Sequence, residues 1–388
     1  MCIFKIILSC ILCVIIIGYL YIRIKFQFWA IQPVFHLYDI NHWMCSNKII
    51  NPNLPLVNKY VNFKNIYTVN NKDISPSLRK QCASFIFDNY LRSTLVNYSP
   101  TEEDIFDYLS STYGNSFISV YKDYHLSENN VIGVITARPL FITFKNRPPL
   151  MVNYIDNLTV RKDRRKEGIA PELIQTHHYN IRNSDTNVKI CLFKREGDMT
   201  AIVPLTTYST TGYNISDIRN IKTKRDHRYK IERIKNKNFM YFKNIIKDAL
   251  SKFYCTINIE LLTLIELVLT SKIIIYVILD DTNPVCCYVL RNTHCSVEGD
   301  IKCMEVIGTI NMSPYEEVFL EGFKTVCKRI ELKYNIGRIL LETTGDTHTL
   351  VEVLAKNDIE IKSNCPTAFF LYNYARYSVK PENCFFIY

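Results

Sequence analysis

The segment MVNYIDNLTVRKDRRKEGIAPELIQTHHYNI, residues 151–181, restricts the architecture of this chain more than any other. Its first ten residues alternate, with Val152, Tyr154, Leu158 and Val160 on one face, the pattern of a β-strand against a core. Five basic side chains follow within residues 161–166, then Gly168. Pro171 falls where a helix would start, and Ile169, Leu173, Ile174 and Ile181 give that helix a buried face. Strand, tight basic loop and helix are therefore expected in that order. A helix N-terminus presents unpaired N–H groups and partial positive charge, so phosphate is favoured there, and a glycine lets the backbone approach a ligand closely. A merely solvated charge run is the competing reading. Nucleic acid is not the expected partner, because an apolar helix face follows the arginines at once and no recognised binding module accompanies them.

Other segments read in the same style. Ser75-Pro76 and Ser99-Pro100 each place a capping residue before proline, predicting helices near 76–90 and 100–110. Strands are expected at 117–121, 131–137, 272–280, 304–311 and 338–342. Ser313, Pro314 and Glu316 read as a capping box. The helix they would open carries Phe319, Leu320, Phe323, Val326, Cys327 and Ile330 on one face. Strands, helix and strand in the second half echo the order around 151–193, which suggests a structural duplication that leaves no obvious repeat in the sequence.

Ile6–Ile22 is free of charge and flanked by Lys5, Arg23 and Lys25, so a membrane anchor is expected, with a secretory signal as the alternative. Positive charge on both flanks does not fix the orientation of this single-pass membrane protein, though Arg23 and Lys25 lean slightly towards a cytosolic body. Residues 25–37 read as an extended arm. Eight Lys or Arg between Lys222 and Lys237 read as a surface linker, or as a stretch attracted to an anionic leaflet. The formal charge of +10 favours an anionic partner without naming it. Of fourteen cysteines, only Cys10 and Cys13 form C-x-x-C, inside the apolar run, so inert thiols in a reducing setting are expected, with neither a zinc site nor any other metal.

Arg165 to Ala170 has the form R-x-x-G-x-A, which resembles the pyrophosphate loop of the GNAT acyltransferase superfamily. More specifically, IDNLTVRKDRRKEGIAPELI resembles a stretch of the protein N-myristoyltransferase family, and QFWAIQPV resembles that family's Q-F-W-x-T-Q-P-V arm. The segments around residues 89–110 and IGVITARP, together with FFLYNY near the end, are similar to family segments in the same order. The resemblance implies an α+β fold of two GNAT-like halves, each a mixed, strongly twisted sheet flanked by helices. With the N-terminal helix, the expected divisions are 1–25 as anchor, 26–220 as the acyl-CoA-binding half and 221–388 as the peptide-binding half. It implies transfer of a myristoyl group from myristoyl-CoA to the N-terminal glycine of a protein, by a monomer.

Carried over by position, the resemblance makes Gln27, Phe28 and Trp29 the arm over acyl-CoA, and Arg165, Lys166, Gly168, Ile169 and Ala170 its phosphate loop. Thr159 and Val160 line the same cofactor. The N–H groups of Asn157 and Leu158 become the oxyanion hole, and the terminal carboxylate of Tyr388, buried by Phe385, Phe386 and Ile387, becomes the base. Departures from the pattern are Asp156-Asn157 in the oxyanion strand and a shortened trace at Thr200, Ala201 and Pro204, with Tyr208 and Tyr213 standing in for channel residues. They leave open two other readings: a GNAT-type N-acyltransferase with another substrate, and an acyl-CoA-binding membrane protein without catalysis.

Overall fold

A computed structural model describes residues 2–91, 96–125, 130–198, 200–223 and 228–388. The chain opens with helix α1 (Cys2–Lys25), the short helix α2 (Ile40–Met44) and strand β1 (Lys48–Ile49). A first unit follows: β2 (Ile66–Asn70), α3 (Pro76–Asn89), β3 (Val96–Tyr98), α4 (Glu102–Phe106), β4 (Phe117–Lys122), β5 (Val131–Phe144), β6 (Leu150–Val160), α5 (Ile169–Ser184) and β7 (Cys191–Glu196). After β8 (Thr206–Asn214) and α6 (Ile215–Arg219) the same series returns. It comprises β9 (Tyr229–Arg233), α7 (Phe239–Leu250), β10 (Cys255–Asn258), α8 (Leu261–Leu269), β11 (Ile273–Asp280), β12 (Asn283–Val297), β13 (Ile301–Asn311), α9 (Glu316–Tyr334) and β14 (Ile336–Glu342). The chain closes with α10 (Thr347–Lys356), β15 (Ser363–Tyr372), β16 (Tyr374–Ala375) and β17 (Cys384–Phe386).

The chain is thus α+β and built from two units of like element order, and the pairing bears out the duplication more fully than element order does. In each unit the first strand pairs antiparallel with the third, β2 with β4 and β9 with β11. In each, the strands before and after the long helix run parallel, β6 with β7 and β13 with β14. Each unit also lends a short strand to the other: β3 pairs with β12, and β10 pairs with β5. The strands that follow the units are exchanged in the same way, β8 onto β14 and β15 onto β7. One mixed sheet of fifteen strands results, and its exchanged strands tie the halves together.

Several local expectations are revised. Ser75 caps α3 as read, but α4 is capped by Thr101 and Asp104 in a reciprocal box rather than by Ser99. Ser313 does not cap α9, whose first residue is Glu316; its hydroxyl instead accepts the Tyr315 N–H at 3.1 Å, a local turn that competes with a cap. The expected apolar face of α9 is buried in full. The basic stretch at 222–237 is not simply a linker: residues 229–233 form β9 at the sheet edge, while 224–227 lie outside the described residues. The arm is not extended throughout, because a 3-10 turn covers Trp29–Ile31. Phe4–Lys25 is long and apolar enough to cross a membrane and is not buried against the body.

Candidate active site

Strands β6 and β7 stay in register only at Asn153 with Cys191, Tyr154 with Leu192 and Ile155 with Phe193, and then part. Beyond Ile155 the edge of β6 that faces β7 has no strand partner among the described residues, which opens a wedge in the sheet. The other edge of β6 carries a bulge at the same place. Thr136 pairs with Asp156 and Val134 with Thr159, so Asn157 and Leu158 together oppose Ile135. Asn157 takes φ 51°, the left-handed region an L-residue adopts only when the surroundings hold it there. Its amide Nδ2 donates to Thr136 Oγ1 (3.1 Å), Thr136 Oγ1 donates to the Asp156 carbonyl (3.1 Å), and Thr159 Oγ1 donates to the Asn157 carbonyl (3.1 Å). The Asn157 N–H, expected to face an acyl carbonyl, donates instead to Asp156 Oδ1 at 2.8 Å. Leu158, the second residue of the bulge, is exposed.

The basic loop after β6 reaches α5 through two left-handed residues, Lys166 (φ 69°) and Gly168 (φ 85°). A Cβ on Gly168 would meet nothing within 4 Å, so space stands open above this helix start. The arginines are committed elsewhere. Arg161 pairs with Asp163 (2.7 Å), and Arg164 is shared by Glu167 (2.7 Å) and Asp123 (2.9 Å). Arg165 donates to the Asn89 carbonyl (2.9 Å) and the Val160 carbonyl (3.3 Å), pinning the loop to the end of α3. Arg165 thus braces the loop through these two bonds, while Lys166, Gly168, Ile169 and Ala170 lead from the loop into α5. Gly133 on β5 explains how α5 comes so close to the sheet: a Cβ there would sit 2.5 Å from Leu173.

The aromatic arm lies over the mouth of the wedge. Trp29 stacks on Phe193 at 5.7 Å, the β7 residue at which pairing with β6 ends, and Phe193 stacks on Phe370 at 5.3 Å. Phe28 is buried edge-on against Trp29 and Tyr60, while Gln27 is exposed. Thr159 is buried and Val160 half-buried at the start of the loop.

The second unit has an equivalent wedge and an equivalent irregularity, but its wedge is filled. The register of β13 against β12 shifts between Val306 and Gly308, and pairing with β14 ends at Val306 with Leu341. Strand β17 lies against this place: a Cβ on Gly308 would stand 2.9 Å from both the Phe386 carbonyl oxygen and the Phe385 ring. Phe385, Phe386, Ile387 and Tyr388 are all at most 1% exposed. The Tyr388 ring reaches Tyr154 on β6 (5.6 Å) and Phe369 on β15 (5.1 Å), which carries the end of the chain from the filled wedge to the open one.

Four ionisable side chains surround the Tyr388 phenol. Lys194, the first β7 residue beyond the register with β6, bonds Glu342 at 2.6 Å and Glu305 at 3.3 Å; Arg291 bonds Glu305 at 2.5 Å and the Tyr388 hydroxyl at 3.3 Å. That hydroxyl donates to Glu342 Oε1, and the other oxygen of Glu342 is buried without a hydrogen-bond partner. Burial pushes the Glu342 carboxyl up to about 7, only partly offset by Lys194. Burial would also raise Glu305, but Lys194 and Arg291 outweigh it and hold that carboxyl well below its ordinary value. Sequence reading missed this cluster; Arg291, the single Lys, Arg, Asp or Glu of β12, is the one member whose strand leaves a signal. Tyr208 is buried beside Phe369, with Glu342 and Lys194 the nearest influences on its phenol after burial itself. Tyr213 belongs to the core beneath α9. Thr200 and Ala201 border the arm and α1, beside Trp29 and His36.

No family model and no curated protein sequence matches the chain. Among solved structures, Saccharomyces cerevisiae N-myristoyltransferase with bound myristoyl-CoA superposes with a TM-score of 0.69 over 91% of this chain and 94% of the yeast chain, at 14% identity. The fold is that of N-myristoyltransferase. A second structure of the yeast enzyme with myristoyl-CoA gives 0.71 over 92% and 90% at 13% identity, and one with inhibitors as well gives 0.69 over 92% of each chain at 14% identity. The N-myristoyltransferase fold therefore accounts for nearly the whole body, including both units and the exchanged strands. Of the residues singled out from sequence, Trp29, Asn157, Leu158 and Tyr388 come together about the wedge, with Gly168, Ile169 and Ala170 at its loop end.

Proposed function

We propose that this chain is an acyl-CoA-dependent N-acyltransferase, anchored to a membrane by α1, that transfers a myristoyl group from myristoyl-CoA to the N-terminal glycine of proteins. The observation that carries this reading is the meeting, at one open wedge, of a bulged strand, a phosphate-suited helix start and a fully buried Tyr388, in a fold shared with an enzyme solved with myristoyl-CoA. The other wedge is filled by β17, so one acyl-CoA per chain is expected.

In this reading Lys166 and the N–H groups at Gly168, Ile169 and Ala170 hold the cofactor's phosphates, and Phe28 and Trp29 pack over it. The thioester lies between β6 and β7. The Leu158 N–H donates to the carbonyl oxygen and stabilises the charge that develops there. An amine attacks only when neutral, and a free α-amino group titrates near ~8. The main-chain carboxylate of Tyr388, desolvated by its burial, is the base that removes the first proton from the glycine ammonium. The nitrogen lone pair then forms the amide bond to the acyl carbon, the carbon–sulfur bond breaks, and the CoA thiolate takes the second proton to leave as the thiol. Cys191, where β7 begins to pair with β6, is buried with its thiol pushed up to about 12, a poor nucleophile, which favours direct transfer over an acyl-enzyme.

The engagement of the Asn157 N–H by Asp156 favours a second reading, an acyl-CoA-binding protein without turnover, because one oxyanion donor is already used. Labelled myristoyl-CoA with a panel of glycine-started peptides separates the two. Acyl-peptide formation supports the transferase; saturable binding with no product on any peptide supports the binder.

A further inference from the structure

We propose that residues 37–44 and the groove beneath Tyr377 form a second membrane contact, in which the groove holds the headgroup of an anionic phospholipid while the apolar ridge enters the bilayer surface. The proposal rests on the membrane reading of α1 and is independent of acyl transfer.

The ridge begins where α1 meets the body, with Tyr19 packed edge-on against Tyr38 at 5.2 Å. Leu37, Ile40, Trp43 and Met44 then face solvent at 56%, 72%, 41% and 77% exposure. They are held in place rather than loose: Trp43 donates its indole N–H to the Leu37 carbonyl (2.9 Å), stacks on Tyr377 (5.7 Å) and accepts the Tyr377 hydroxyl at its carbonyl. A rigid exposed tryptophan paired with a tyrosine, among aliphatic side chains, is the composition of a membrane–water interface.

Tyr377 is also the rim of a groove of about 520 Å³. Its lining holds four cations, Lys145, Lys252, Arg376 and Lys380, and no carboxylate among the described residues. Lys252 is neutralised by Asp346 at 2.6 Å. Arg376 is not neutralised. It is 6% exposed, lies 3.7 Å over the Phe144 ring, donates to the Tyr254 hydroxyl (2.5 Å) and to Asn47, and leaves its Nε buried without a hydrogen-bond partner. None of its partners among the described residues is a carboxylate. A buried cation without a counter-charge is costly, and an anion entering the groove relieves that cost. The phosphates of acyl-CoA are not that anion, because β6 separates this end of the sheet from Gly168 by roughly 30 Å at ~3.3 Å per residue. The ridge selects the source: a soluble anion makes no use of Leu37, Ile40 or Met44, whereas a phospholipid engages ridge and groove together.

The test reconstitutes the full chain into phosphatidylcholine vesicles with and without phosphatidylserine and follows amide hydrogen exchange at 37–47 and 376–383. Exchange there is expected to slow by roughly tenfold or more when phosphatidylserine is present, given the usual gain per basic side chain near an anionic surface, and the protection should fade with added salt. The doubly reversed variant Lys145→Glu/Lys380→Glu, altered only at exposed positions, should lose that protection while keeping its acyl-CoA affinity and its resistance to carbonate extraction. Equal exchange in the two vesicles overturns the proposal. Equal protection by millimolar inorganic phosphate in phosphatidylcholine vesicles also overturns it, by assigning the groove to a soluble anion. Release of the chain by carbonate from both vesicles overturns the membrane reading of α1 on which the proposal stands, a result distinguishable from the other two.

Discussion

Replacing Lys194 by methionine removes the one ammonium that touches both Glu342 (2.6 Å) and Glu305 (3.3 Å) while keeping most of the side-chain volume. Glu305 retains Arg291 at 2.5 Å, so the loss falls chiefly on Glu342, which has no exposed atom and keeps only the Tyr388 hydroxyl. Breaking a buried pair from one side costs about 3–5 kcal/mol. The cost should depend on pH, because Glu342 escapes it by taking a proton. In the wild-type protein its folded value of about 7 lies above the unfolded 4.5. The folded state therefore binds more protons in that window, and the stability contributed by protonation is full below the unfolded value and is lost as pH rises through the folded one. Losing Lys194 raises the folded value further, so the variant's carboxyl keeps its proton over more of the range from pH 6 to 8 and the variant loses stability faster as pH rises. The destabilisation by Lys194→Met should accordingly be larger at pH 8 than at pH 6, by roughly 1 kcal/mol. Urea midpoints of the detergent-solubilised proteins at the two pH values measure it. A variant within about 0.5 kcal/mol of wild type at pH 8, or an identical deficit at both pH values, would refute the argument that Lys194 neutralises a buried carboxylate.

Gly308→Ala should cost about 1–3 kcal/mol in urea unfolding, because its Cβ would lie 2.9 Å from main-chain and ring atoms of the C-terminal segment. Displacing that segment should lower acyl transfer far more than acyl-CoA affinity, as read by turnover against equilibrium titration. Gly168→Ala meets no atom within 4 Å but forces a side chain to φ 85°, so a loss of about 1 kcal/mol in stability is expected. Its Cβ points into the space assigned to phosphate, and isothermal titration should show acyl-CoA affinity falling by more than that strain alone explains. Removing Asp156's carboxylate by Asp156→Ala frees the Asn157 N–H. Stopped-flow transfer rates should rise if that N–H then serves as a second oxyanion donor, each such donor being worth about 2.7–4 kcal/mol at the transition state. An unchanged or slower rate would leave Leu158 as the sole working donor.

Much of this architecture was legible in local patterns. The strand, loop and helix from Leu150 to Ser184, the Ser75 cap and the apolar face of α9 all follow from neighbours within a few residues. Elements decided by distant partners were not legible. Strands β3 and β10 are three and four residues long, too short to carry a pattern, and they exist because each completes the other half's sheet. Residues 229–233 look like a charged linker, since alternation of Lys and Arg with Tyr and Ile is equally the signature of an edge strand. At the candidate site the sequence located the loop but not the partners of its arginines: spacing reveals charge, whereas Asp123 and Asn89, which bond Arg164 and Arg165, lie far away in the chain. The cluster of Lys194, Arg291, Glu305 and Glu342 draws one residue from each of four strands, and only the assembled sheet brings them together.

The most direct test of the acyltransferase account is the mass of a glycine-started peptide after incubation with myristoyl-CoA and the detergent-solubilised chain, run beside a version carrying one additional glycine after Tyr388. The account predicts an amide-linked acyl group on the peptide's N-terminal nitrogen with the first protein. It predicts loss of product but retained acyl-CoA binding with the second, whose Tyr388 carboxylate has become a peptide carbonyl. Tight acyl-CoA binding without product from the unextended chain would contradict the transferase, and equal product from both chains would contradict the role given to Tyr388.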